Sequence, residues 1–223
     1  MSFFTKYTSL GAVWRHEWRD KTFRKEAVLS FVVLGAVVRL TSLALVYTEK
    51  RHGAHLPDPF LSNMEPIRLT WVTFSILWPS LFLATYSLLP DPRRLVKAIQ
   101  AGALILIFRS ITIYLIPLEP LETIIPLSDP LIEYFGTGER IVKDLLFSGH
   151  TSTMFLFCFS ARKTWLMVFF LIGAVTVAAC VVLQHVHYSG DVFIAPFFAY
   201  TSWRITCVLH DKIGSQPVEA TPV

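Results

Sequence analysis

His187 and Asp191 stand four residues apart in the stretch His185-Val186-His187-Tyr188-Ser189-Gly190-Asp191, a spacing that puts an imidazole and a carboxylate on one face of a helix. A carboxylate behind an imidazole fixes its tautomer and stabilises its charged form, so His187 is a candidate nucleophile. His150 lies in a second stretch, Asp144-Leu145-Leu146-Phe147-Ser148-Gly149-His150-Thr151, at the mouth of an otherwise apolar segment. It has no carboxylate at helical spacing on its C-terminal side, and suits proton transfer to and from a leaving or attacking hydroxyl. Ser148, Gly149 and the amides that open this segment are candidates to receive phosphate oxygens, because helix N-termini favour anions. His185, His187 and Asp191 would also make a compact zinc set. No cysteine or second acidic cluster joins them, and no metal is expected.

The elements that must hold these groups are membrane helices. The 223 residues are 53% hydrophobic and 14% aromatic, with mean hydropathy +0.53, too apolar for a water-soluble domain of this size. Six stretches approach the roughly 20 residues needed to cross a hydrocarbon core: 27–47, 70–89, 95–117, 145–161, 165–183 and 191–209. The fold expected is an all-α bundle of six transmembrane helices over 27–210, preceded by a basic amphipathic segment over 1–26 and followed by a polar tail over 211–223. In that leader Phe3, Tyr7, Leu10, Trp14 and Trp18 recur at helical spacing among Arg15, Arg19, Lys21, Arg24 and Lys25, as in a helix lying on a membrane surface. Cys158, Cys180 and Cys207 fall inside the spans and suggest no disulfide framework.

The 20 Lys and Arg concentrate in the N-terminus, in 90–97, in 162–163 and near the C-terminus. By the positive-inside rule both termini are cytoplasmic, and the formal charge of +4 is accounted for without nucleic acid. That topology puts His150 and the His187/Asp191 pair on the same, non-cytoplasmic face although they are distant in sequence. The 118–143 connection lies on that face too and reads as a lid, a substrate gate or an inert connector. Arg109 sits about two turns below the outer end of its span. Its planar fork matches phosphate oxygens, and a structural ion pair is the alternative. Arg39 falls near the middle of the first span, where a charge is costly unless it faces a polar interior, and its partner cannot be read from sequence.

These residues resemble the signatures of the sphingomyelin synthase family, within the lipid phosphate phosphatase superfamily, over roughly residues 55–210. Ser148-Gly149-His150-Thr151, with Asp144 ahead of it, is similar to the third signature, and His185 to Val192 to the fourth. Arg93-Arg94 followed by Phe108-Arg109, Thr112 and Pro117 resembles the second, and Leu56-Pro57-Asp58 echoes the first. The resemblance implies a metal-free, cofactor-free enzyme that moves a phosphocholine or phosphoethanolamine headgroup between lipids through a phosphohistidine. His187 would attack phosphorus with Asp191 behind it, and His150 would protonate departing diacylglycerol and then deprotonate an acceptor, ceramide foremost or diacylglycerol. Arg109, Asp144, Ser148, Gly149, His185 and Tyr188 would contact substrate. The active site would face the lumen, exterior or periplasm of a Golgi, plasma or bacterial inner membrane. Cys180-Val181 stands where the general phosphatase branch carries Ser-Arg, which weighs against a simple phosphatase, and Gly190 replaces the apolar residue usual before the aspartate. The alternatives are a lipid phosphate phosphatase or phospholipase C-type hydrolase of the same fold, and a non-catalytic lipid transporter.

Overall fold

The computed structural model describes residues 9–127 and 141–214. Among these are seven α-helices and no strand, only an isolated bridge between Ala54 and Leu118. Helix α1 (Leu10–Arg19) opens at Ser9, whose hydroxyl accepts from the Ala12 amide. Asp20 then takes an extended backbone that ends α1, and caps α2 (Lys21–Glu49) by accepting from the Thr22 amide at 2.9 Å. The leader expected over 1–26 is therefore divided: residues 21–26 already belong to the first long helix, and residues 1–8 lie outside the described residues. The succession continues through α3 (Thr70–Leu88), α4 (Pro92–Leu115), α5 (Gly149–Ser160), α6 (Thr164–Leu183) and α7 (Ser189–Gly214). Asp91 caps α4, with Pro92 at its first position, where a missing N–H costs nothing. The tail expected from 211 begins later, since α7 runs to Gly214, and residues 215–223 lie outside the described residues, as does half of the suggested lid, 128–140.

Five helices, α2, α3, α4, α6 and α7, are long and apolar enough to cross a membrane, and the chain is a multi-pass membrane protein. The segment expected as a fourth span differs. Helix α5 has 12 residues, about 18 Å at 1.5 Å per residue, because residues 141–148 are not helical: Leu146 sits at φ 91° and Ser148 is the cap. Its two ends show its direction. The Ser160 carbonyl accepts from Arg94 Nε at 2.7 Å, near the start of α4, whereas Gly149 packs on Arg109, near the end of α4. Helix α5 thus runs antiparallel to α4.

The surface shows why these sequences suit a bilayer. Leu29, Phe31, Val32, Phe82, Tyr86, Ile172, Phe193 and Phe197 are exposed around the outside, while Ser80, Ser152 and Ser202 are buried within. Such an arrangement has apolar residues where lipid lies and small residues where helices approach closely. Helix α2 buries only the stripe Phe23, Ala27, Ser30, Thr41, Leu45 and Thr48, laid along α4. Helix α1 is pinned across one end of the bundle by Trp14 Nε1 donating to the Leu89 carbonyl at 2.8 Å and by Arg93 bridging Glu17 and Asp20. Arg15, Arg19, Lys21, Arg24 and Lys25 are exposed at this end.

Candidate active site

At the opposite end the start of α7 brings the expected pair together, but not on one helical face as the spacing suggested: α7 begins at Ser189, and His187 lies in the turn before it. Tyr188 precedes α7, and Asp191, in its first turn, reaches back so that Oδ2 accepts from the Tyr188 amide at 3.3 Å, the reciprocal half of a capping box. The same oxygen lies 3.1 Å from His187 Nδ1. With Nδ1–H donated to the carboxylate, the lone pair is on Nε2, the nitrogen that would attack. Both side chains are buried, His187 2% and Asp191 3% exposed. The Asp191 carboxylate is therefore positioned by the helix start, and holds the imidazole in one tautomer.

His187 is turned toward this carboxylate by the end of α6. The amides of His185 and Val186 donate to the carbonyls of Val182 and Val181, at 2.8 and 3.0 Å. This is a Schellman ending with His185 in the left-handed position, φ 58°, where glycine is usual. His185 Nδ1 is 2.6 Å from the Thr123 hydroxyl, and its Nε2 has no hydrogen-bond partner among the described residues. Burial pushes the His185 pKa down, against an opposing pull from Asp58. His185 and His187 thus turn to different partners, and among the described residues no group of three or more His, Cys, Asp or Glu is placed to hold a metal ion.

The second half of the site is built on α4 and α5. Arg109, 7% exposed, donates from Nε to Asp144 Oδ1 at 2.7 Å and from Nη2 to Asp144 Oδ2. Of the two readings of Arg109, the geometry includes the ion pair with Asp144, and Nη1 remains turned to the start of α5. There Gly149 leaves room for it, since a Cβ at this position would overlap the guanidinium and make Arg109 shift. His150 follows it, with its ring edge-on to Phe74 at 5.9 Å. Ser148 is engaged within the protein on both its groups: its hydroxyl accepts from the Thr151 amide, and its own amide donates to the Asp191 carbonyl at 3.3 Å. That last bond ties the start of α5 to the start of α7, and so His150 to the His187/Asp191 pair.

Loops from three parts of the chain cover this end. Tyr188 donates its phenol to the Glu119 carbonyl at 2.8 Å, and Glu119 Oε1 accepts from Lys143 Nζ at 2.9 Å and from the Gly53 amide at 2.8 Å. The bond from Lys143 holds the Glu119 pKa below its ordinary value. A Cβ on Gly53 would lie 2.6 Å from the Leu118 carbonyl carbon, so this crossing also needs glycine. Asp58 Oδ2 accepts from the Ser189 amide at 2.7 Å, a second carboxylate at the start of α7. Burial pushes the Asp58 pKa up, but the bonds from Ser189, Leu61 and Phe60 outweigh it and the net shift is downward. Sequence reading gave no role to Gln184, which is fully buried and holds Leu69, Thr70 and Ile125 together. A lone amide ending the apolar run of α6 was its only signal.

Between α2, α3, α4 and α5 lies a cavity of about 470 Å³. Arg109, Asp144, Gly149 and His150 form its polar end, and leucines such as Leu81, Leu88 and Leu95 line it toward the α1 end of the bundle. His187 and Asp191 are not in its wall. Helices α2 and α3 scarcely touch, so the cavity is a groove that opens sideways between them.

Residues 143–208 match the family described as PAP2 superfamily C-terminal. The match includes Asp144, Gly149, His150, His187 and Asp191 but covers less than a third of the chain. It supports the lipid phosphate phosphatase superfamily and chemistry on lipid phosphates, and does not single out the sphingomyelin synthase branch. No curated protein sequence matches the chain.

Proposed function

We propose that this protein transfers a phosphocholine or phosphoethanolamine headgroup from a glycerophospholipid to a lipid alcohol, ceramide foremost, and releases diacylglycerol. The observation that carries this reading is burial. His187 and Asp191 lie almost out of reach of water, and a phosphohistidine formed in such a place survives until an alcohol arrives from the lipid phase. The groove behind His150 is apolar along most of its length, as an acyl chain requires.

In the first step Nε2 of His187 attacks phosphorus, a P–N bond forms, and the P–O bond to diacylglycerol breaks. Asp191 stabilises the imidazolium, and His150 gives a proton to the departing alkoxide. In the second step the acceptor hydroxyl surrenders its proton to His150, its oxygen takes the phosphoryl group, and His187 leaves as neutral imidazole. Arg109, held by Asp144 beside Gly149, and the helix start at α5 supply positive potential where phosphate charge develops. Asp144 and Ser148 serve by holding Arg109 and the start of α5, and His185 and Tyr188 by fixing the backbone around His187. The exposed cations at the α1 end support a cytoplasmic location for that end, and so a lumenal, extracellular or periplasmic site.

The test is lipid product analysis of purified enzyme in liposomes with fluorescent ceramide or diacylglycerol and a panel of donor phospholipids. Labelled phospholipid formed by wild type and absent with His187→Ala upholds transfer and names both substrates. Free phosphate or phosphocholine without labelled product replaces it by the hydrolase reading. Unchanged lipid movement with His187→Ala replaces it by a non-catalytic carrier.

A further inference from the structure

Arg39 has no part in the site described above, yet it lies among the exposed apolar side chains of α2, between Val38 and Leu40, which are 47% and 63% exposed. It makes no hydrogen bond or ion pair among the described residues. A guanidinium facing hydrocarbon is costly and marks function more often than architecture.

Two hydrogen bonds give its depth. Thr41 Oγ1 lies 2.9 Å from Ser110 Oγ, and Gln100 Nε2 donates to Ser30 Oγ at 2.8 Å, pairings 69 and 70 residues apart. Helices α2 and α4 therefore run parallel with a constant offset, and Arg39 stands level with Arg109. Helical rotation gives its direction. On α2 the groove is lined by Leu34, Val38, Thr41, Ser42 and Leu45, to one side of the stripe packed on α4. At about 100° per residue, Arg39 lies roughly 60° beyond Ser42 on that same side. It does not line the groove itself; it stands outside the groove on the side of α2 that bears Ser42, at the depth of the groove's polar end.

We propose that Arg39 is an access site for the phosphate of a phospholipid that enters sideways between α2 and α3. A lipid taking this route must carry its phosphodiester below the membrane surface before Arg109 is near enough to receive it. A planar fork outside the groove gives the phosphate a charge-assisted partner at the right level. The ligand class is a phosphodiester lipid. A lipid alcohol passing the same way has no anion for Arg39. This inference rests on the reading of a phospholipid as donor.

The test is steady-state kinetics of Arg39→Gln and Arg39→Lys in liposomes, with the surface concentrations of donor and acceptor varied separately. Arg39→Gln should raise the donor KM roughly tenfold, the scale of one hydrogen bond to a charged group, with Arg39→Lys between it and wild type and the acceptor KM within twofold of wild type. Equal changes in both KM values, or none, overturn the proposal. So does a lower Tm or a changed oligomeric mass in Arg39→Gln, which would make Arg39 a packing or interface residue. Binding of a fluorescent phospholipid to His187→Ala, with and without Arg39→Gln, separates the two readings. Weaker binding without Arg39, together with no labelled product from wild type in the liposome assay, retains the access site and removes the transferase. Equal binding removes the access site alone.

Discussion

Gly149→Ala probes the knot that joins the two halves of the site. The added Cβ would overlap the Arg109 guanidinium, with Arg109 Cζ at 2.5 Å. Arg109 cannot withdraw without loosening its two hydrogen bonds to Asp144, and at 7% exposure it meets little water on the way. Breaking a buried ion pair from one side costs about 3–5 kcal/mol. The arginine stem can turn and recover part of this, so the expected loss is about 3 kcal/mol, or roughly 6–12 °C in Tm at about 2–4 °C per kcal/mol for a chain of this length. Arg109→Ala removes the obstacle while leaving Asp144 without its cation. On that background Gly149→Ala should add less than about 0.5 kcal/mol, a strongly non-additive cycle. Thermal unfolding of the four proteins in one detergent, with donor turnover measured alongside, reads the cycle. Gly149→Ala leaving Tm unmoved, or costing as much without Arg109 as with it, refutes the reasoning.

Asp191 carries two duties that substitutions can part. Asp191→Asn keeps a side-chain oxygen for the Tyr188 amide but loses the carboxylate behind His187, so kcat should fall on the order of 100-fold or more while stability moves by about 1 kcal/mol or less. Asp191→Ala should lose the same activity and roughly a further 1 kcal/mol of stability with the cap. His185 should give the fold a pH dependence. Its folded pKa is lowered, so its contribution is complete above the ordinary histidine value near 6.5 and is lost as pH falls through the lower folded value. Tm of wild type against His185→Gly from pH 8 to pH 5 should show the wild type losing more, because glycine has no ring to protonate and suits the left-handed backbone. Parallel Tm curves would remove this assignment.

How much was legible in the sequence varies by element. The His187/Asp191 pairing could be read because it is local, although not as a helical turn: His187 precedes α7, and the capping box at the helix start, itself a short-range pattern, folds Asp191 back to it. The long apolar runs could be read because a hydrocarbon core demands continuous hydrophobicity, and five of the expected spans are helices of spanning length. The bounds of α5 were not legible. Its apolar run continues through Leu145 to Phe147, and the left-handed Leu146, packed beside Leu118, Leu145 and Tyr188, and the Ser148 cap, whose amide bonds to Asp191, shorten it. Arg109 announced a need for an anion, but the partner lies 35 residues away in Asp144, and no local rule selects it. His185 was read by its neighbours, and its left-handed backbone and its contact with Thr123 were not legible in the sequence. Composition and short-range spacing thus determined that this is a membrane bundle with a histidine–aspartate pair at one end. Only the tertiary structure decided which cation meets which carboxylate, where the groove opens, and that Arg39 stands level with Arg109, because those facts depend on how helices distant in sequence lie against one another.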